Sequence, residues 1–507
     1  MIEYMHPNVT ISEPERIKIM KRRISILLLL ALCMSMTAGC GGETEETDAV
    51  NTDVPAETEP AETTEDTSAQ VDELPTDLDF GGATIGIASS VNVHFHGYMD
   101  VAEYDDTTSV LDQSIYNRNR NVEERLNVKI TEITAASSDV TNTFENTITA
   151  GDDSYQIFHG ADRVVFNTGL DGYLLDVAKD MPYIDLEKEY WYADGNEVLN
   201  VGGKQLAVFG EMSLGTYDYC HLLAFNQDLI REYALTSPWD YYAEDNWTFD
   251  SFGTLVTSVY DDLDGNGIMD ENDRYGFHTR GGFQFPLMYT AAGLKTVELN
   301  ADGIPEFTAP ASQKLSDVYD WCTTVFYDNN AWYKQTFGNN FLTESPMFQE
   351  NKMLITDMTF FYVGAVRDMV SDFGIIVYPK YTAEQDRYYT WVEGGAKAIG
   401  ISLITQNKDA VGALLEAMGT ESLKSVIPTY YEINLKAKYS RDEMSSQMFD
   451  VIRESRSFDL GDTVWCETVR GKLGDSFNAK QPLASTLASV QKAVDAKIEA
   501  AMEVLTD

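Results

Sequence analysis

Ala83-Thr84-Ile85-Gly86-Ile87-Ala88, then Leu111, Ile115, Val122 and Leu126 at helical spacing, then Val128-Lys129-Ile130-Thr131-Glu132-Ile133, decide the fold class. The first run is apolar and β-prone, the second repeats on one helix face, and the third alternates with period two. Strand, helix and strand in that order predict a parallel α/β layer, because a crossover helix is what joins two parallel neighbours. Further along, Thr248 stands where it can cap a helix carrying Phe252, Leu255, Val256 and Val259. Ser440-Arg441-Asp442-Glu443 has the capping-box pattern ahead of Met444, Met448, Val451 and Ile452. The stripe Leu483, Leu487, Val490, Val494, Ile498, Ala501 and Leu505 predicts a terminal helix packed on a core. There is no internal repeat.

Upstream of this body the composition changes. Glu43–Asp79 is Thr, Glu, Asp, Pro and Ala without a single Lys or Arg. Such a segment has too little apolar surface to fold and is extended by its own charge, so a disordered tether is expected over residues 41–79. Before it, Lys21-Arg22-Arg23 precede an apolar run, Ile24–Met36, closed by Thr37-Ala38-Gly39-Cys40. That is the order of parts of an export signal, with a core shorter than the ~18–20 residues of a membrane span. The Ala-Gly-Cys end resembles the bacterial lipoprotein box, although Thr37 stands where an apolar residue is usual. The resemblance implies cleavage after Gly39 and lipidation of Cys40, with plain secretion as the alternative. Met1–Ile19 fit no export signal, and Met20 is the expected start.

The 507-residue chain carries 82 acidic against 36 basic side chains, a formal net charge of −46. Phosphate backbones are repelled by such a surface, which disfavours nucleic acid, and anionic polymers would need a local basic pocket. Roughly 430 residues remain after the signal and tether, enough for two lobes. Cys220, Cys322 and Cys466 have no metal-type spacing and read as buried small residues or at most one disulfide.

Asp262-Leu263-Asp264-Gly265-Asn266-Gly267-Ile268-Met269-Asp270-Glu271-Asn272-Asp273 carries the sharpest local chemistry. Asp262, Asp264, Asn266, Asp270 and Asp273 put oxygen ligands at loop positions one, three, five, nine and twelve, and the Ile268 carbonyl supplies position seven. Gly267 takes the tight turn at position six. This is a calcium-type loop with Asp273 in place of the usual Glu, and a structural calcium ion is the expected cofactor.

Several stretches, in order, resemble the extracellular solute-binding proteins of ABC importers, in particular the sugar-binding group related to maltose-binding protein. They are Tyr155–Arg163 followed by Gly169–Asp176, Gly203–Val208, Leu223–Leu229, Asn246–Asp250, Phe348–Leu354 (with Asn351 for the usual Gly) and Phe373–Lys380. The resemblance implies a two-lobed, periplasmic-binding-protein-like α/β fold of type II, with hinges near Phe209–Gly215 and Gly374–Lys380. Lobe one would take about residues 80–208 and 380–425, lobe two about 216–373 and 426–507. It implies a monomer that captures a carbohydrate, an oligosaccharide by preference, and passes it to ABC permease subunits, with no bond made or broken. By position in the family, the ligand residues would be Asp162 and Arg163 on a loop after a strand, Glu211 on the hinge strand, His94 and His96 flanking Phe95 after the first strand, Phe360 and Phe361 after the strand Met353–Thr356, and Trp391 after Tyr388 and Tyr389. Each has a plainer alternative: ion pairing for Asp162, Arg163 and Glu211, core packing for the aromatics. Trp191, Trp247 and Trp332 read as packing residues. The rival functions are an exported glycan-active hydrolase, which would need two opposed carboxylates and shows no Gly-x-Ser-x-Gly or His-Glu-x-x-His motif, and a surface adhesin or sensor.

Overall fold

A computed structural model describes residues 72–91, 96–103, 105, 108–333, 345–366, 368–436 and 443–506. The signal, Cys40, most of the tether, His94, Phe95 and the capping-box residues Ser440–Asp442 lie outside the described residues. The two main sheets have four and six strands; nine of these are numbered here in chain order, and the tenth, Tyr260–Asp261, pairs at the side of the strand Arg274–His278. The first sheet holds β1 (Ala83–Ser90), β2 (Val128–Ala135), β3 (Ile157–Ala161) and β9 (Lys397–Ile401) in the order β9-β3-β1-β2. The second holds β4 (His221–Asn226), β5 (Arg274–His278), β6 (Trp332–Tyr333), β7 (Met353–Thr359) and β8 (Phe373–Ile376) in the order β6-β5-β7-β4-β8.

The expected strand–helix–strand unit is present: β1 and β2 pair in parallel from Ala83 with Val128 to Ser90 with Ala135, joined through the helix Val110–Leu126. Alternation along β1 explains its two covered faces. Ile85 and Ile87 pack with Val122, Leu126 and Leu414 of the helices on one side. Ala88 joins Phe144 and Phe158 on the other. A strand buried on both faces needs helices over both, which is why its run is continuously apolar.

Among the numbered strands, each sheet has one that runs against its neighbours. β9 is antiparallel to β3, and β4 is antiparallel to β7 and β8. Both are the first strand entered after the chain passes from one sheet to the other, β4 after residues 209–220 and β9 after 377–396. The parallel strands point their C-terminal ends toward this crossing region, and β4 and β9 start there, so the loops of both sheets converge on one place. A third connection runs through the helices Ile427–Lys436 and Glu443–Glu454; the first packs on the helix Val110–Leu126 and the second on β8. At the first crossing the backbone lies directly on β9: a Cβ on Gly215 would sit 2.3 Å from the Lys397 Cβ, so only glycine fits.

Thr248 caps the helix Phe249–Val256 through a capping box with Ser251. The terminal helix Leu483–Thr506 buries Leu483, Leu487, Val490, Val494, Ala501 and Leu505, with Ile498 partly buried. Burying each Leu or Val contributes about 1.5–3 kcal/mol, so a charge at Val494 would free this helix from its bed. The three cysteines of the body are buried and unpaired, as small apolar residues would be. Order starts earlier than residue 80. Asp72 accepts two hydrogen bonds from Arg125 (2.6 and 2.7 Å), and Leu74 is buried. The acidic run therefore ends docked on the helix Val110–Leu126, because one arginine fork satisfies a buried carboxylate that composition alone marks as solvated.

Candidate functional site: the cleft at the crossings

Residues from both sheets and from the crossings meet at the converging loop ends. On the side of the first sheet, the segment after β1 is fixed by Glu132 on β2, which accepts from the backbone N–H of Met99 (2.8 Å) and Asp100 (2.9 Å) and from Ser89 Oγ. Burial pushes the Glu132 carboxyl up to about 7, against those bonds. His96 then donates from Nδ1 to Asp218 (3.1 Å), whose other donors are the His96 backbone N–H (2.6 Å) and Tyr430 Oη (2.8 Å). Burial works against a charge on His96, but Asp218 outweighs it and raises the imidazole pKa. Across the cleft, the Phe361 ring stands edge-on to His96 with centroids 5.5 Å apart. This contact joins the short helix after β7 to the segment that begins at His96.

Asp162 does not lie on a loop. It opens the helix Asp162–Leu170 directly after β3 and is buried. Its Oδ1 accepts from the N–H of Arg163 (2.7 Å) and of Gly395 (2.8 Å), so it latches the helix start to the second crossing. Burial drives its carboxyl well above the usual range. Arg163 differs: it is half-buried, donates from Nη1 to the Gly394 carbonyl (2.9 Å), and faces Tyr219 and Glu393. Gly395 has φ +123°, and a Cβ there would press on the Arg163 guanidinium at 2.9 Å. Glycine is what lets the turn and the arginine share the space.

On the side of the second sheet, Trp391 is buried. Its ring lies flat on His221 (4.6 Å, 10°) with Phe283 edge-on (5.0 Å). Its Nε1–H donates to Asp462 (2.6 Å), which also accepts from Gly394 N–H (2.8 Å) and Arg470 Nε (2.9 Å). Arg470 reaches on to Glu393 (3.4 Å). His221 donates to Asp357 (2.9 Å), which is also held by Tyr378 Oη (2.6 Å) and Thr279 Oγ1 (2.8 Å). The second imidazole nitrogen of His221 has no hydrogen-bond partner and looks at Glu393 from 4.0 Å. Burial raises the Glu393 carboxyl, opposed by Arg470 and His221.

Four expected ligand residues are therefore relocated. Asp162 is a buried latch. Trp391 is a wall plate under His221 rather than a free platform. Phe360 is in the core, packed on Phe449 (4.9 Å) and Tyr217 (6.4 Å), because adjacent residues of the short helix Phe360–Val363 point apart and only Phe361 reaches the cleft. Glu211 is buried behind the first crossing, accepting from Tyr217 Oη (2.9 Å) and lying 3.4 Å from Arg453. Of the other expected residues, His96 and Phe361 meet across the cleft, and Arg163 faces Tyr219 and Glu393 beside them. Tyr219, Glu393 and Arg470 join them without any sequence motif; the acid–aromatic run Tyr217-Asp218-Tyr219 just ahead of β4 is the one local signal.

The calcium-type loop lies apart from the cleft, between Tyr260–Asp261 and the start of β5, which pair antiparallel and staple its two ends. Asp262 accepts from the N–H groups of Gly265 (2.7 Å), Gly267 (2.7 Å) and Asn266 (3.2 Å), and these bonds, led by Gly267, lower its pKa. Gly267 has φ +78°. Buried Asp273 accepts from the N–H of Leu263 and Asp270, both at 2.8 Å. Carboxylate oxygens of Asp262, Asp264 and Asp273 lie within 4.8 Å of one another. This hard-oxygen set fits a calcium ion. Asn266 Oδ1 instead accepts from Ile268 N–H (2.6 Å), and Asp270 from Asn272 N–H (2.8 Å).

No protein-family model matches the sequence, and no curated protein matches it. Solved structures do. A cyclo/maltodextrin-binding protein complexed with maltotetraose superposes with a TM-score of 0.56 at 12% identity, over 82% of this chain and 97% of the other. The binding protein associated with an ABC transporter of Bifidobacterium animalis subsp. lactis (B. animalis subsp. lactis Bl-04), in complex with β-1,6-galactobiose, gives 0.52 at 15%, over 83% and 98%. The ABC substrate-binding protein Lmo0181 of Listeria monocytogenes, in complex with cycloalternan, gives 0.51 at 12%, over 82% and 99%. The chain has the two-lobed α/β fold of the sugar-binding proteins of ABC importers, spanning nearly their whole length.

Proposed function

We propose that this chain is a cell-surface carbohydrate-binding lipoprotein, anchored through Cys40, that delivers an oligosaccharide to an ABC permease. The observation that carries this reading is the convergence of half-buried Arg163, Tyr219, Phe361, His96 and Glu393 on one cleft between two sheets. Planar charged groups suit hydroxyl pairs and exposed aromatic faces suit sugar C–H surfaces, so both halves of sugar recognition are supplied. The first lobe is built on β1–β3 and β9, the second on β4–β8, and the crossings 209–220 and 377–396 act as the hinge. A ligand touching both lobes favours the shut form because it gains contacts only there.

A hydrolase is not favoured. Among the described residues of the cleft, Glu393 and Asp462 are both tied to Arg470 and so share one wall, and Asp218 is taken up by His96 and Tyr430, whereas opposed acid and base would have to face each other across a bond. The calcium-type loop is proposed to hold a structural calcium ion through Asp262, Asp264 and Asp273, with Asn266, Asp270 and the Ile268 carbonyl turning inward on loading. The protein works as a monomer outside the cytoplasmic membrane. Thermal-shift screening of the purified chain against mono- and oligosaccharides tests the reading: stabilisation by at least one oligosaccharide without product formation is expected. Turnover abolished by a single Asp or Glu substitution would replace it with the enzyme.

A further inference from the structure

Behind the first crossing lies a second concavity that the cleft does not use. It is a groove of about 320 Å³, at the low end of the ~300–1,000 Å³ range of small-ligand sites. Its walls come from four separate parts of the chain: residues 187–194, Glu211 on the first crossing, Arg387 on the second, and residues 453–458 at the end of the third connection. Trp191, Tyr192 and Phe458 give it an almost fully buried aromatic lining. Glu211, also among the lining residues, is fully buried. One of its oxygens is held by Tyr217 Oη at 2.9 Å, with Arg453 at 3.4 Å and Arg456 at 3.8 Å. The other, Oε2, has no hydrogen-bond partner. A buried carboxylate oxygen left without a donor is a costly arrangement that a ligand hydroxyl would repair.

The rest of the lining narrows the ligand class. Four basic and five acidic side chains line the groove, so it selects neither an anion nor a cation. Charged donors and acceptors of both signs stand beside Trp191, Tyr192 and Phe458, which suits an uncharged molecule carrying several hydroxyls. We propose that this groove is an accessory site for a short neutral carbohydrate of one or two rings, bound with a hydroxyl donating to Glu211 Oε2. Because Glu211 and Arg387 belong to the two crossings, the groove adjoins the cleft without opening into it: Tyr217 bonds to Glu211 on the groove side, and Tyr219 lies on the cleft side.

Two tryptophans report the two sites separately. Trp191 donates its indole N–H to Glu416 (2.7 Å) beside the groove, and Trp391 donates to Asp462 (2.6 Å) beside the cleft. The full chain, labelled with 15N-tryptophan, is titrated with glucose, galactose, maltose and lactose to 20 mM. At least one of the four is expected to shift the Trp191 indole resonance saturably. Glu211→Gln should weaken that response about fivefold or more. Ala193→Phe, which fills the groove from its exposed rim without touching the buried cluster, should abolish it and leave Trp391 unaffected. The proposal is overturned if none of the four moves Trp191. It is equally overturned if the Trp191 shift survives Ala193→Phe and follows Trp391 with the same affinity, which is closure of the cleft alone. A Trp191 response with Trp391 silent supports the groove as a site of its own, separate from the cleft.

Discussion

The two faces of the first crossing carry similar chemistry and differ in access. Behind it, Glu211, Arg453, Arg456, Tyr192 and Tyr217 form a largely buried cluster: the Arg456 guanidinium lies 3.6 Å from the centroid of Tyr192 and donates to Thr216 Oγ1 at 3.0 Å. In front, Arg163, Glu393, Tyr219, His96 and Phe361 are each only half-buried. Arginine, carboxylate and aromatic ring together thus do not by themselves define the main capture site. What distinguishes the front is that loops of both sheets end there and leave parts of each group uncovered.

The largest expected effect falls on the back face. Arg456→Ala strips a buried cation from Glu211 and should cost about 3–5 kcal/mol of stability, because the remaining carboxylate is left buried and poorly paired. Arg163→Ala in front should cost under about 1 kcal/mol and instead weaken oligosaccharide binding by about 10- to 100-fold. Chemical denaturation and calorimetry on both variants check the contrast; equal loss of stability would erase the distinction between the faces.

Next in size is a pH effect from the front. Glu132, which holds the His96 segment, has its carboxyl raised by burial from 4.5 to about 7. The folded state therefore binds more protons than the unfolded state between those values, so this group's contribution is full below about 4.5 and is lost as pH rises through about 7. The shift corresponds to about 3 kcal/mol in all. Glu132→Gln should flatten that part of the stability–pH curve. His96, raised above 6.5 against its burial by Asp218, loses its own contribution at higher pH in the same direction, and His96→Gln should remove that later fall.

A contrast of the same kind separates neighbours in sequence. Phe360→Ala should destabilise by about 3–5 kcal/mol, as for a core aromatic. Phe361→Ala should leave stability within about 1 kcal/mol and lower oligosaccharide affinity by about tenfold. The smallest concerns the calcium-type loop. With a dissociation constant of about 0.1 mM, 1 mM calcium adds about 1.4 kcal/mol of stability. Removal with a chelator should lower the melting temperature by a few degrees in the parent and not in Asp273→Ala.

Local pattern carried much of the fold. The pairing of β1 with β2, the cap at Thr248 and the stripe from Leu483 to Leu505 depend on residues close in sequence, where periodicity reports burial directly. The cleft was only partly legible. Arg163, His96 and Phe361 follow strands whose ends face it, so position after a strand was informative. Tyr219, Glu393 and Arg470 reach it through the crossings and a distant helix, and no local spacing encodes that meeting. Trp391 and Phe360 misled for one reason: an aromatic ring that would stack on a sugar and one that plugs a wall have the same sequence signature. Asp72 misled in the opposite sense, since the arginine that buries it lies 53 residues away.

Titration calorimetry of oligosaccharides into the purified chain, parent against Arg163→Ala and Phe361→Ala, bears most directly on the cleft as the place of capture. Saturable heat with at least one oligosaccharide, weakened at least tenfold in both variants with melting temperatures nearly unchanged, is the predicted result. Heat of equal affinity in parent and variants, or none from any oligosaccharide with a folded parent, would contradict it.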